Sequence, residues 1–330
     1  DGSTFSGVEP SGKPSAVHTE MMKPGDAMFL ALRPDGTSLV IIAPAGSTMQ
    51  NQLVWLFGVS IQASSDFEFK DIEHGSPAEL DFAARYILDE LGLDIDEPSA
   101  DRLDEFLEPF GIDFPNTKVF SELARRSLGQ ISPQDDADKI LMAWAEQEEL
   151  LFRRLERKIV AERLRSGFMA SADNADVEGF LSFSLSVQNR RKSRAGQSLE
   201  NHLEVLFKAR GIRYQRGAET ENRNRPDFIF PGQTEYRDLS FNAENLTMLG
   251  AKSTLKDRWR QVLSEAERIK TKHLLTLEPS ISINQTDEMQ AKALQLVVPV
   301  KLHQTYRESQ RLWLFSVEDF LKLVNDRQSR

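Results

Sequence analysis

The sequence predicts an α/β protein: a mixed β-sheet flanked by helices in the C-terminal half, preceded by a helical region and a small β-rich N-terminal segment. Three observations predict it. Two short apolar runs at Met28–Leu32 and Leu39–Ile42 flank the turn signal Pro34-Asp35-Gly36, as in a hairpin. From about residue 77 to 166 apolar residues recur at helical spacing, and beyond 174 short β-type runs alternate with helical stretches. That alternation is the pattern of a sheet with helices on both faces.

Composition narrows the function classes. The chain has 330 residues, enough for one large or two ordinary domains, and ample apolar residues for a core. It has no cysteine, which excludes disulfides, thiolate zinc sites and a cysteine nucleophile, and His18, His74, His202, His273 and His303 show no metal-ligand spacing. Any metal site must therefore be built largely from oxygen ligands. No apolar run approaches a membrane span and the start lacks the pattern of a signal peptide, so a cytoplasmic protein with no membrane partner is expected. Asp1 in place of Met leaves room for a longer native N-terminus. The net charge of −10 hides an asymmetry. Residues 61–150 carry 23 acidic and 7 basic side chains, whereas residues 188–273 carry 18 basic and 11 acidic ones. A basic surface in the second half suits phosphates despite the acidic total.

Taken in order, residues 1–26 read as a loose terminal segment rich in Gly, Ser and Pro. The hairpin follows, and Val54–Phe57 adds another element to this β-rich unit. Leu80, Phe82, Ala83, Tyr86, Ile87 and Leu91 mark a helix face ended by Gly92. Further helices are expected near 101–109, 117–127 and 134–166, the last with a stripe of Ile140, Leu141, Trp144, Leu151, Leu155 and Ile159 that reads as core or oligomer seam. Ser198 can cap a helix that buries Leu199, Leu203, Leu206 and Phe207 and stops at Gly211. Strands are then expected at 212–214, 228–230, 246–251, 273–277 and 294–298, and helices near 256–270, 286–292, 303–312 and 317–326.

Two stretches could carry chemistry. Arg225-Pro226-Asp227 opens one apolar run, Lys252 closes the next 25 residues on, and Glu265 lies 13 residues beyond in the expected helix. Hydrolysis of a phosphodiester needs a positioned water and positive charge around the phosphate oxygens, which Mg²⁺ held by carboxylates supplies. Asp227 and Glu265 are the candidate metal ligands, and the Lys252 ammonium would stand beside the attacking water and phosphate. An Asp after Pro at a strand start is commonly only a turn residue. Glu265, bordering the apolar stripe of Trp259, Val262, Leu263 and Ala266, has more need of a partner or metal. Glu200 and Glu204 lie on successive turns of the earlier helix, and either could complete the acidic cluster. Lys256-Asp257-Arg258 suits base edges, because Arg or Lys donates to guanine and Asp accepts from cytosine. The plainer reading is a charged first helical turn. Arg190, Arg191, Lys192 and Arg194 look like phosphate contacts or a solvated basic run.

These signals gain weight from a resemblance. The blocks Asn189–Gly196, Ser198-Leu199-Glu200, Pro226-Asp227-Phe228 and Lys256-Asp257-Arg258-Trp259-Arg260-Gln261 closely resemble the catalytic domain of EcoRII-type restriction endonucleases. The similarity continues through Glu265-Ala266, His273-Leu274, Glu288-Met289 and Leu296–Pro299, strong over about 186–300. It implies a restriction-endonuclease-like fold of the PD-(D/E)XK class, Mg²⁺ dependence, a homodimer acting on double-stranded DNA, and a companion methyltransferase protecting the host. By matched motif Glu200, Asp227, Lys252 and Glu265 would be the active site. Gly250 stands where the class often has its second acid, which Glu265 would replace. Lys256, Asp257 and Arg258 would read outer C·G pairs, with Arg191 and Arg194 near the DNA. The target implied is a short near-palindromic site of CC-and-GG (CCWGG-like) type.

The expected division is a β-rich segment at 1–70, a mainly helical region at 71–185 and a nuclease core at 186–330. Residues 1–60 are too short for the family's complete effector-DNA barrel, so the first segment is at most its remnant, and cleavage without an activating second site is expected. A nicking or repair nuclease of the same fold, or a catalytically silent DNA-binding protein, are the alternatives.

Overall fold

The computed structural model describes residues 22–32, 36–59, 82–93, 100–129, 131–171, 174–255 and 258–330. The chain forms two compact units, Asp1–Lys70 and Asp71–Arg330.

In the first unit β1 (Ala27–Leu32) pairs antiparallel with β2 (Ser38–Ala43), from Ala27 opposite Ala43 to Leu32 opposite Ser38. Most of the expected turn, Pro34 and Asp35, lies outside the described residues, as does most of the loose segment at 1–26. The element expected at Val54–Phe57 is the last turn of a helix, α1 (Thr48–Phe57). Both ends have local causes. The Ser47 hydroxyl accepts from the Gln50 amide, and Gly58 takes a left-handed conformation that sends its N–H back to the carbonyls of Trp55 and Val54.

The second unit begins with helices: α2 (Phe82–Glu90), α3 (Ala100–Leu107), α4 (Thr117–Ser127) and the 30-residue α5 (Ala137–Ser166). Asn116 and Asp136 cap α4 and α5 through their side chains. Leu103, Leu107, Phe120, Ala124, Leu151, Phe152, Leu155 and Ile159 join α3, α4 and α5 in one buried cluster, so the α5 stripe is core. A short hairpin of β3 (Met169–Ser171) and β4 (Asn174–Ala175) leads into α6 (Val177–Ala209). Ser198, expected as a helix cap, is instead a buried residue inside α6, whose cap is Asp176. Accordingly α6 runs unbroken through residues 185 and 186, where a boundary was expected.

The sheet has the order β5-β6-β7-β8-β9, from Gln215–Arg216, Phe228–Phe230, Thr247–Lys252, Lys272–Thr276 and Leu294–Val297. The first three strands are antiparallel and the last three parallel, so the sheet is mixed. The strand expected at 212–214 pairs slightly later, at Gln215–Arg216. One face is covered by α6 and by α12 (Val317–Gln328): Phe207 meets the rings of Phe228 and Phe230, and Phe320 meets Phe230 and His273. On the alternate residues of the other face, Val262 of α8 (Trp259–Val262) lies over Gly250. The connections also carry α7 (Gln233–Arg237), α9 (Ile283–Ala291), α10 (Val300–His303) and α11 (Glu308–Arg311); the last two replace the single helix expected at 303–312. Among the described residues no helix is long and apolar enough to cross a membrane.

The β7–β8 connection departs most from expectation. Instead of a helix over 256–270, the described residues from 258 on hold only the four residues of α8, followed by turns. Ala266 has φ +50, in the left-handed region, which no α-helix can include. Asn224 then donates its side-chain amide to the Ser264 carbonyl at 2.8 Å, satisfying a group the helix would have used.

Candidate active site

Asp227 directly precedes β6, and the antiparallel register that sets Phe228 opposite Leu249 brings it alongside the end of β7. Its Oδ2 accepts from the Ala251 amide at 2.7 Å and from Lys252 Nζ at 2.9 Å. Its own carbonyl accepts from Gly217 N at 3.0 Å. Oδ1 accepts nothing from any described residue. Gly250 is required for packing rather than for its backbone angles: a Cβ there would lie 3.1 Å from Val262 Cγ2 and 3.3 Å from Leu274 Cδ1. No acidic side chain fits at that position without displacing both.

Glu265 reaches the same region from the turn after α8, not from within a helix. Burial, and then the negative charge of Asp227, push its carboxyl up to about 7, against the pull of Lys252 and Lys272. No described residue donates a hydrogen bond to it. Glu200, on α6, is also raised, by burial first and Asp227 second, with Arg216 and Lys252 opposing. The sequence left open whether Glu200 or Glu204 joins the cluster, and the structure separates them. Glu204 accepts from Tyr214 and Arg216 at 3.0 Å each, whereas Glu200, which also accepts from Arg216, feels the charges of Asp227 and Lys252. Glu200 and Glu265 thus each feel the charges of Asp227 and Lys252.

Arg216 was missed by sequence reasoning. From β5 its Nε donates to Glu200 at 2.7 Å, and its Nη1 donates to Asn201 and Glu204 at 3.0 Å each, fixing this side of α6 against the sheet edge. Its only sequence signal is a lone arginine on a short strand, which no motif distinguishes.

The basic residues divide. Arg194 is corrected: its guanidinium is buried over the Phe152 ring and paired with Glu149 and Glu148, so it is not a surface contact for phosphate. Arg191 remains half-exposed but already holds the buried Glu156 carboxylate through both Nε and Nη2, at 2.5–2.8 Å. Arg258 is exposed, with Nη2 3.5 Å from Thr254 Oγ1. Lys256 and Asp257 lie outside the described residues.

Chemically, Asp227 beside the Lys252 ammonium and Glu265 within reach of their charges each keep an oxygen to which no described residue donates. Among the described residues no group of three acidic or histidine side chains forms a cage for a metal ion. Two hard oxygen donors still suit Mg²⁺, which keeps several waters and takes one or two carboxylates alongside substrate phosphate.

The family model described as EcoRII C terminal matches residues 152–321, just over half of the chain. The type II restriction enzyme EcoRII of Escherichia coli is 42% identical over 187 residues, covering 56% of this chain and 45% of that protein. The type II restriction enzyme SsoII of Shigella sonnei is 29% identical over 148 residues, covering 42% and 47%. The chain therefore spans about half the length of the curated relatives it matches, and it is homologous to type II restriction enzymes. Among solved structures, metal-depleted Ecl18kI in complex with uncleaved DNA superposes with a TM-score of 0.52 over 69% of this chain and 83% of that one, at 20% identity. At that identity the likeness is one of fold, and the mixed five-stranded sheet with its helices is restriction-endonuclease-like.

Proposed function

This chain belongs to the EcoRII C-terminal family, and on that premise we propose that it is a type II restriction endonuclease. It hydrolyses both strands of DNA at a short G·C-rich, near-palindromic site of CC-and-GG (CCWGG-like) type, with Mg²⁺ as cofactor. The observation that carries the reading is the Lys252–Asp227 contact of 2.9 Å where β6 begins and β7 ends, with the half-buried Glu265 carboxyl raised by burial and then by the Asp227 charge.

Asp227 Oδ1 and Glu265 would hold the metal. Bound there, Mg²⁺ supplies positive charge for the phosphate oxygens and lowers the pKa of a coordinated water. The protein's own part is positioning. The Ala251 amide and Lys252 fix Asp227 through Oδ2 and leave Oδ1 outward. Lys252, which the same contact orients, donates to the phosphate and stabilises charge developing on it. Glu200, held by Arg216, borders the cluster and limits where water can sit. Lys256, Asp257 and Arg258 read the outer C·G pairs from the loop after β7, and Arg191 lies near the DNA backbone. Residues 186–330 are the nuclease core and residues 71–185 its helical support. The enzyme acts as a homodimer, as a two-fold site requires, beside a methyltransferase that protects host DNA.

Digestion of unmethylated plasmid with and without Mg²⁺, followed by sequencing of the ends, tests this. Discrete double-strand breaks at CC-and-GG sites are expected. Nicks alone would favour a nicking or repair nuclease, and binding without cleavage in any divalent ion a silent DNA-binding protein.

A further inference from the structure

The connection between β7 and β8 carries both Arg258 and Glu265, yet its described residues contain only one helical turn. Something other than helical hydrogen bonding must hold its shape. Two charged side chains at opposite ends of β8 do so, and both are buried, Lys272 at 8% exposure and Glu278 at 7%.

Lys272, the first residue of β8, donates from Nζ to the Ile269 carbonyl at 2.9 Å and to the Ala266 carbonyl at 3.4 Å. These are the carbonyls of the turn directly after Glu265, the second belonging to the residue with left-handed φ. Glu278, just beyond the C-terminal end of β8, accepts through Oε2 from the Leu255 amide at 2.5 Å. Leu255, itself fully buried, accepts at its carbonyl from the Arg258 amide at 2.9 Å. Glu278 is secured in turn: its amide donates to Thr276 Oγ1 at 3.1 Å, and its carbonyl accepts from the Tyr306 hydroxyl at 2.6 Å. A buried ammonium or carboxylate is costly unless its hydrogen bonds are met. Here each charge meets backbone groups of a connection whose described residues hold a single helical turn.

We propose that Lys272 and Glu278 are positioning residues with separate duties: Lys272 sets the turn that presents Glu265, and Glu278 sets the loop that presents Arg258. The inference rests on the proposed nuclease reading for the duties, but not for the two contacts. Removing the first pin should damage cleavage, and removing the second should damage base discrimination. A merely structural pair would damage both together.

The test uses the full chain with Lys272→Met and Glu278→Ala, each beside its conservative partner, Lys272→Arg and Glu278→Gln. Two quantities are measured: single-turnover cleavage in Mg²⁺ at saturating specific DNA, and the ratio of specific to non-specific duplex binding in Ca²⁺. Lys272→Met should lower the cleavage rate at least tenfold and the binding ratio less than twofold. Its Mn²⁺ affinity, read by electron paramagnetic resonance, should fall as well. Glu278→Ala should lower the binding ratio at least tenfold, with the smaller loss in rate. Lys272→Arg and Glu278→Gln should each recover more than half of the lost effect on a logarithmic scale. Proportional loss of both quantities in either variant, or no loss in its assigned quantity, overturns that residue's role. Should a variant fail to fold, the wild-type protein still decides. The Leu255 amide should exchange with deuterium at least a hundredfold more slowly than that of Ser253, and Lys272 should resist acetylation longer than Lys252. Equal rates overturn the corresponding pin. If wild-type protein cuts no DNA while these protections hold, the nuclease reading fails and the two contacts stand.

Discussion

Glu148 on α5 and the group formed by Glu200, Asp227 and Glu265 are both acidic side chains drawn out of water, but only at Glu148 do the neighbouring cations outweigh burial. Glu148 is completely buried, 3.0 Å from His202 Nε2 and 3.6 Å from Arg194. Arg125 donates to His202 Nδ1 at 3.0 Å, which leaves the Nε2 proton to face Glu148. Burial works against the Glu148 charge, yet His202 and Arg194 hold its carboxyl below the usual range. At the neighbouring Glu149, Arg194 and Arg153 likewise outweigh burial and bring it down to about 2. Around Asp227 the balance is reversed. Glu200 and Glu265 are pushed upward, and no described residue donates a hydrogen bond to Glu265. A buried carboxylate ringed by cations of the chain builds a structure, whereas one like Glu265, to which no described residue donates, calls for a cation from outside.

The largest expected effect separates the two groups by function. Asp227→Asn or Lys252→Ala should lower cleavage by about a thousandfold or more, roughly 4 kcal/mol of barrier, while specific binding in Ca²⁺ survives. Glu148→Ala, by contrast, should leave cleavage per folded molecule nearly unchanged. Normal cutting by either active-site variant would remove the contrast.

Stability should show the opposite ranking. Glu148→Ala strips a buried partner from Arg194 and His202 and should cost about 3–5 kcal/mol in denaturant unfolding. Asp227→Asn and Glu265→Gln should cost far less in metal-free buffer, because they relieve repulsion. An equal loss in all three would mean that the active-site carboxylates are structural.

Arg258→Ala should reduce discrimination by about 1–3 kcal/mol per contacted base pair in a competition gel shift. Unchanged preference would take Arg258 out of base reading.

The gentlest probe is pH. Burial lowers His273 to about 3 and lowers His202 as well, so both are neutral in the folded state near neutrality. A histidine whose folded pKa is depressed binds its proton more readily unfolded. For His273 stability is therefore full above about pH 6.5 and falls as pH drops toward 3, by up to about 1.4 kcal/mol per pH unit, and His202 adds a loss of the same sign. Glu148 and Glu149, depressed carboxylates, add a further loss below about pH 4.5. Urea unfolding at pH 7.5, 5.5 and 4.5 checks the histidine part, and a flat profile would contradict it.

How much of this was legible in the sequence depended on distance along the chain. Asp227 and Lys252 stand at the ends of adjacent strands, where apolar runs mark the strands and the spacing follows. Glu265 was recognisable as a candidate, but its setting was not. Trp259, Val262, Leu263 and Ala266 recur at helical spacing, while the left-handed Ala266 is stabilised by Lys272 and Asn224 contacts that no local pattern encodes. Arg194 read as a phosphate contact because its acidic partner Glu149 lies 45 residues upstream. Ser198 read as a cap because it stands just before the apolar stripe of Leu199 and Leu203, yet α6 begins at Val177 and runs through Gly196, which has open space around it. Arg216 had no local signal because its role is to join a sheet edge to a helix.

Mn²⁺ binding to the full chain, titrated at pH 7.5 with a CC-and-GG duplex present, tests the central claim most directly. Wild-type protein and Glu148→Gln should bind the ion with similar affinity, and Asp227→Asn and Glu265→Gln should bind at least tenfold more weakly. Equal binding by all four proteins, or none by the wild type, would contradict the assignment of Asp227 and Glu265 to a cation.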